Sequence, residues 1–275
     1  MTNNNLNQLQ IFLDIATEAA LAAGTILQDC WGQLQNIEEK GGGGDLVTEA
    51  DRKSEVAILQ ILERHVPDHR ILAEEAGQLG NADSDYLWAI DPLDGTTNYA
   101  HSYPVASVSI ALLVRGQPQV GVVYDPFQNE LFRAATGLGA TLNRRPMRVS
   151  QTEELSNSLL ATGFAYDRRE TKDNNYAEFC YLTHLTQGVR RAGSASLDMA
   201  AVACGRYDGY WERGIKPWDI AAGIVLVEEA GGRVSAYDGS PLQLDSGRIL
   251  ATNGKISAAL SRALLDTPPI AQWGH

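Results

Sequence analysis

The hydrophobic period of this chain changes twice along its length, and that limits the folds open to it. Apolar residues at Leu6, Leu9, Phe12, Leu13, Ala16, Ala19, Ala20, Ala23, Ile26, Leu27 and Cys30 keep helical spacing over many turns. A second helix follows, with Thr48 as N-cap, Asp51 three residues on, an apolar face through Val56, Leu59 and Leu62, and a stop near Pro67. From there to about residue 150 the period drops to two. Arg70–Ala73, Tyr86–Asp91, Val105–Val114, Val120–Tyr124 and Glu130–Ala134 are short runs of β-branched and apolar residues bounded by Gly, Pro and Asp. Arg115-Gly-Gln-Pro-Gln119 joins two of them as a hairpin, so part of the sheet is antiparallel and a pure doubly wound fold is disfavoured.

Beyond residue 150, strands and helices alternate. Ser158–Gly163, a helix around Tyr176–Thr186, Gly188–Arg191, a small-residue helix from Ser194 and Tyr207–Glu212 come first. A helix opened by Pro217 and ended by Gly231-Gly232, a strand Arg248–Thr252 and a C-terminal helix complete the chain. The expected architecture is mixed α/β (α+β), one domain over residues 1–275 whose halves, about 1–150 and 151–275, share an interface.

Composition narrows the chemistry. A chain of 275 residues can bury a full core without disulfides, and Cys30, Cys180 and Cys204 form no CxxC pair, which points to reduced thiols. The balance of 22 Lys+Arg against 34 Asp+Glu gives −12 with no basic run, which argues against nucleic acid as a partner. The first residues lack the pattern of a signal peptide, and no apolar run reaches the ~18 residues of a membrane span, so a cytoplasmic location without membrane partners is expected. So acidic a chain would repel an anionic substrate; phosphate chemistry here has to recruit cations.

The octapeptide Asp91-Pro-Leu-Asp-Gly-Thr-Thr-Asn98 follows the strand Trp88-Ala-Ile90, which puts Asp91 at a strand's carboxyl end, where open sheets place ligands. Asp91 and Asp94 flank a rigid Pro and can converge on hard cations, while Gly95, Thr96 and Thr97 would open a helix whose free N–H groups face an anion. Taken alone, the segment also reads as a turn with Asp94 as a cap. Acids recur at the ends of other elements, however: Glu74-Glu75 after Arg70–Ala73, and Asp219 in the first turn after Pro217. A turn does not explain that recurrence.

With these residues the sequence resembles the inositol monophosphatase family of magnesium-dependent, lithium-sensitive phosphatases. The resemblance rests on Asp45-Leu-Val-Thr-Glu-Ala-Asp51, Glu74-Glu75, Asp91–Asn98, Gly193-Ser-Ala195, Trp218-Asp219 and Glu229-Ala-Gly-Gly232, and spans nearly the whole chain. It implies a layered α-β-α-β-α sandwich with metals between its halves, and a homodimer. Two or three Mg²⁺ would be held by Glu74, Asp91, Asp94, Asp219 and the backbone carbonyl of Leu93. Thr96, relayed to Asp51, would take a proton from the attacking water, with Glu74 beside it. Gly95 and Thr96, with Lys40 as a flap lysine on the run Gly41–Gly44, would hold the phosphate. Gly193, Ser194, Ala195, Glu212, Asp94 and Asp219 would hold the hydroxyls of inositol.

That assignment suits the chemistry, because a phosphate monoester needs both an activated water and a stabilised leaving oxygen, and two metals supply both. No Cys or Ser sits at a nucleophile elbow, so no covalent intermediate is required. The expected substrate is a small polyol phosphate, with myo-inositol 1-phosphate foremost. Histidinol phosphate, fructose 1,6-bisphosphate and 3′-phosphoadenosine 5′-phosphate are alternatives of the same chemistry, and a catalytically idle phosphate-binding protein is the alternative of another class. Other features read as structural. His65, His69, His101, His184 and His275 show no metal spacing, Arg190-Arg191 reads as pairing for an acidic surface, Gly137-Leu-Gly139 fits a hairpin turn, and Tyr207–Trp211 is an aromatic core or interface strand.

Overall fold

In the computed structural model, residues 3–34, 37–40 and 45–269 are described. The glycine run 41–44, expected to form the flap, lies outside them, as does His275.

The chain begins with α1 (Asn3–Cys30), then β1 (Ile37–Glu39) and β2 (Leu46–Thr48), an antiparallel pair with Ile37 opposite Thr48. This pair was not expected: β1 is three exposed residues, and nothing but its partner marks it as a strand. α2 (Glu49–His65) starts from a capping box in which Asp51 Oδ2 accepts from the backbone N (2.8 Å) and hydroxyl (2.6 Å) of Thr48. Next come β3 (Arg70–Ala73), β4 (Gly77–Gly80), β5 (Tyr86–Asp94), the short α3 (Thr96–Ala100), β6 (Ser107–Val114), β7 (Gln117–Asp125), β8 (Glu130–Ala135), β9 (Gly139–Leu142) and β10 (Arg145–Pro146). The second half holds β11 (Leu159–Thr162), α4 (Tyr176–Leu185), β12 (Gly188–Arg190), α5 (Ala195–Ala203), β13 (Gly209–Arg213), α6 (Pro217–Glu229), β14 (Arg233–Ser235), β15 (Arg248–Thr252) and α7 (Ser257–Leu265).

Eight strands form one sheet in the order β10-β9-β8-β7-β6-β5-β3-β4, antiparallel except where β3 meets β5. Five form the other, β12-β11-β13-β15-β14, parallel only between β11 and its two neighbours. The β6–β7 hairpin is tighter than expected. Arg115 (φ 50°) and Gly116 (φ 77°) make the whole turn, and Gln117, Pro118 and Gln119 already belong to β7, where a register shift beside Leu113 accommodates the proline.

Strand alternation builds the layers. Trp88, Ile90, Val108, Ile110 and Leu112 point to one face and pack on α1 and α2. Ala89, Ala111, Leu113 and Val123 point to the other, against α5 and α6, which also cover Ala161, Tyr210, Ile249 and Ala251 of the second sheet. That sheet's opposite face, Leu160, Trp211 and Leu250, is covered by Leu182 of α4 and Leu260 and Leu264 of α7. The result is the α-β-α-β-α sandwich, with α5 and α6 as the middle layer. α1 has the length and mean hydropathy of a spanning helix, contrary to expectation, yet half of that stretch is buried inside the protein. Leu9, Phe12, Leu13, Ala16, Ala20 and Leu27 lie in its core.

Candidate active site

The acids expected to hold metal arrive from three elements. Glu74 follows β3, Asp91 and Asp94 end β5, and Asp219 sits in the first turn of α6. On β5 the register slips: Asp91 pairs with Ser109 but Asp94 with Ser107, so two residues, Pro92 and Leu93, oppose the single Val108. This bulge at Pro92-Leu93 carries both carboxylates into one cleft, where Asp91 Oδ1 accepts from Leu93 N (2.9 Å). α6 is tied to the same strands by Ser109 Oγ, which donates to Trp218 O (2.9 Å), and Asp219 Oδ2 accepts from Lys216 N (2.8 Å).

Burial pushes all four acids above the usual carboxylate range, Glu74 to about 7; Asp91 and Asp219 are raised further by the neighbouring acids, whereas hydrogen bonds from Ser194 and Ser196 oppose the rise of Asp94. Asp91, at 2% exposure, feels Glu74, Asp94 and Asp219 together, and it lies close enough to Glu74 to share a hydrogen bond. Among the described residues no three His, Cys, Asp or Glu side chains are closed into a cage, since each acid is turned to protein donors. Asp94 Oδ2 accepts from Ser194 Oγ (2.7 Å), Ser196 N (2.7 Å) and Ser196 Oγ (2.6 Å). The chemistry of the set nevertheless fits hard divalent cations: oxygen donors only, mutually repelling and largely desolvated, which is unfavourable without positive charge.

The structure brings Thr96 and Asp51 together across 45 residues of sequence. The Thr96 hydroxyl lies 3.1 Å from Asp51 Oδ1 and 3.0 Å from Leu93 O. Asp51 is fully buried, and burial lifts its carboxyl to about 6 against the opposing bonds from Thr48. Gly95 caps α3 at φ 98°, and a Cβ there would lie 2.9 Å from Val105 O, so both the turn and the packing require glycine. The helix expected to open here is α3, a single turn. Lys40 Nζ bridges Glu74 (3.1 Å) and Glu75.

At the far end of the cleft stands Glu212, buried at 8% exposure and pushed to about 7, with Tyr210 OH donating to its Oε2 at 2.5 Å. Gly163 lies against it, and any Cβ there would overlap the carboxylate. Gly193, Ser194 and Ala195 also line the cleft, but the Ser194 hydroxyl is already engaged with Asp94 and caps α5. Sequence reasoning missed Ser107 and Ser196, whose hydroxyls lie 2.7 Å apart behind Asp94, and the buried Asp198 facing Glu212's field. Serines carry no pattern that marks them in advance. His69 is a half-buried, satisfied histidine that accepts from Trp88 Nε1 (3.0 Å) and stacks on Tyr86. Glu229 accepts from Gly137 N (3.0 Å) and Gly139 N (2.8 Å), which fixes that hairpin turn.

A family description of inositol monophosphatases matches residues 8–267. The chain belongs to the inositol monophosphatase family. An inositol-1-monophosphatase from Synechocystis sp. is 68% identical over 267 residues, covering 97% of this chain and 92% of that one. A solved inositol monophosphatase from Anabaena (Nostoc) sp. superposes with a TM-score of 0.90 at 65% identity, over 97% of this chain and all of its own. The Nus factor SuhB of Pseudomonas aeruginosa is 45% identical over 258 residues, 92% of this chain and 95% of that one. As a member of the inositol monophosphatase family, the chain brings residues of the octapeptide, Glu74 of the paired acids and Asp219 together at one cleft.

Proposed function

We propose that this chain is a divalent-cation-dependent phosphomonoesterase that hydrolyses myo-inositol 1-phosphate to inositol and phosphate. The convergence of Glu74, Asp91, Asp94 and Asp219 from three elements on one cleft carries the reading, and the high identity to an inositol-1-monophosphatase supports it. Divalent cations bound by these oxygens and Leu93 O, which we take to be Mg²⁺ and two or three in number, supply Lewis-acid activation of water and neutralise the leaving oxygen. The remaining work falls to the chain's own groups.

Thr96 has one hydroxyl proton and two acceptors at 3.0 and 3.1 Å. When it donates to Asp51, its lone pairs face the cleft and accept a proton from water. Asp51, lifted to about 6, is matched to receive the relayed proton near neutral pH. Glu74 orients the same water. Lys40, bridging Glu74 and Glu75, exchanges a carboxylate for the substrate phosphate, beside the backbone of Gly95. At the other end Tyr210 occupies one oxygen of Glu212, which leaves Oε1 for a ring hydroxyl beside Gly193 and Ala195. We further assign a homodimer in the cytoplasm, with neither nucleic acid nor membrane as partner.

Phosphate release from inositol 1-phosphate, β-glycerophosphate and 3′-phosphoadenosine 5′-phosphate tests this. Glu212→Gln should lower kcat/KM on inositol 1-phosphate by about tenfold or more and leave β-glycerophosphate within twofold, because an unpaired polar contact costs about 1–3 kcal/mol. A uniform drop on all three would remove the support for a polyol.

A further inference from the structure

The four acids of the cleft are not held alike. Asp91 Oδ1 takes Leu93 N and Asp219 Oδ2 takes Lys216 N, donors from each acid's own turn, and Glu74 Oε1 takes the ammonium of Lys40. Asp94 is held from across the fold. Its Oδ2 receives the Ser194 hydroxyl (2.7 Å) and both the backbone N (2.7 Å) and the hydroxyl (2.6 Å) of Ser196, residues 100 and 102 positions further along the chain. These donors stand at the start of α5: Ser194 is its N-cap, and Ser196 N is one of the N–H groups that a helix leaves unbonded, so Asp94 is also the anion at that helix end.

Behind them stands Ser107, on β6 directly opposite Asp94. Its hydroxyl lies 2.7 Å from that of Ser196 and 3.2 Å from that of Ser194. The protons fit one arrangement. An ionised carboxylate only accepts, so Ser194 and Ser196 each direct their single hydroxyl proton at Asp94. The Ser107 proton then points to the nearer oxygen, that of Ser196. Ser107 therefore donates to Ser196, which donates to Asp94, and each bond strengthens the next. Ser107 and Ser196 are both 0% exposed, so bulk water replaces neither. Three donors fill Oδ2 and turn it to α5, which leaves Oδ1 as the oxygen for a cation in the cleft. Carboxylates that offer one oxygen each suit a small cation with an octahedral shell, whereas Ca²⁺ takes more oxygens and readily uses both of one carboxylate.

We propose that Ser196, backed by Ser107, is a positioning residue for Asp94: it confines this acid to ligation through one oxygen and thereby biases the cleft toward Mg²⁺ relative to Ca²⁺. Without the Ser196 hydroxyl, the Ser194 hydroxyl and the backbone N–H remain, but Oδ2 loses its shortest bond and Asp94 is free to turn and offer both oxygens. Loss of Ser107 loosens the same carboxylate less, because it acts through Ser196. The inference rests on the reading of the four acids as a divalent-cation site.

The test reads binding rather than turnover. Calorimetric Tm of the chelator-stripped chain, followed against rising Mg²⁺ or Ca²⁺, gives a dissociation constant for each cation, and their ratio, Kd(Ca)/Kd(Mg), is independent of how stable the stripped chain is. Removing an outer partner of a metal ligand costs about 10–100-fold in affinity. In Ser196→Ala, Kd for Mg²⁺ should therefore rise about tenfold or more and Kd for Ca²⁺ by about twofold at most, so that the ratio falls about fivefold or more below wild type. Ser107→Ala should lower the ratio by about threefold. Ser158→Ala, an equally buried serine outside the cleft, should leave it unchanged. A Ser196→Ala ratio equal to that of wild type, including an equal rise in both constants, overturns the proposal, as does an equal fall in Ser158→Ala. If Ser196→Ala shows no folding transition, an unchanged ratio in Ser107→Ala overturns it instead. A wild type whose Tm responds to neither cation would overturn the cation-site reading, and this proposal with it.

Discussion

Stripping divalent cations should make the stability of this fold fall as pH rises. Three largely buried acids at the cleft sit well above their ordinary values: Asp51 at about 6 against 3.8, and Glu74 and Glu212 at about 7 against 4.5. Burial is the chief cause for each. Since the folded value exceeds the unfolded one, the fold binds these protons more tightly than the open chain. The stability they confer is complete below about pH 4 and is lost as pH passes through about 6 to 7. At about 1.36 kcal/mol per pH unit, each group costs roughly 3 kcal/mol once ionised. Even one uncompensated group would lower Tm by about 3–10 °C between pH 5 and pH 8, because part of its stability is already lost at pH 5 and the rest counts at about 2–4 °C per kcal/mol for a chain of this size. Mg²⁺ binds only the ionised carboxylates, so the rise in Tm on adding it should be small at pH 5 and large at pH 8. Differential scanning calorimetry in EDTA and in Mg²⁺ at both pH values measures this. A Tm in EDTA that is flat or rises with pH, or an Mg²⁺ increment equal at the two pH values, would refute the reasoning.

Two further outcomes follow from the geometry. Thr96→Ala and Asp51→Asn should each lower kcat by about tenfold or more with little change in the Mg²⁺ concentration for half-maximal rate, and the double variant should be no worse than the poorer single; additive losses in steady-state kinetics would dismiss the relay. Gly163→Ala should push Glu212 aside and raise KM for inositol 1-phosphate by about tenfold while sparing β-glycerophosphate; an unchanged KM would show that Glu212 has room to move.

The long periodic elements could be read from sequence because their own residues determine them. α1 and α2 carry apolar stripes, and β5, β6 and β7 alternate between two cores. The strands that escaped notice, β1, β2, β4, β9, β10 and β14, are two to four residues long, and all but β2 bear Gly or charge. Gly77-Gln-Leu-Gly80 is a strand only because β3 lies beside it, and pairing of that kind leaves no local mark. At the cleft the split is similar. Asp91, Asp94, Glu74 and Asp219 stand at element ends with a rigid Pro or a strand before them, which a sequence shows plainly. The serines that hold Asp94, and the tie from Arg213 to Asp167 across 46 residues, depend on long-range packing of residues common on any surface. The resemblance to a family supplied the roles; the fold supplied the partners.

The most direct test of the central claim is phosphate release from myo-inositol 1-phosphate by the purified protein, measured across an Mg²⁺ titration, with wild type and Asp94→Asn side by side. Wild type should be inactive in EDTA and regain full turnover with Mg²⁺, while Asp94→Asn, folded by its calorimetric transition, should need far more Mg²⁺ or remain inactive. Equal turnover with and without divalent cation, or an Asp94→Asn variant that titrates like wild type, would contradict the account.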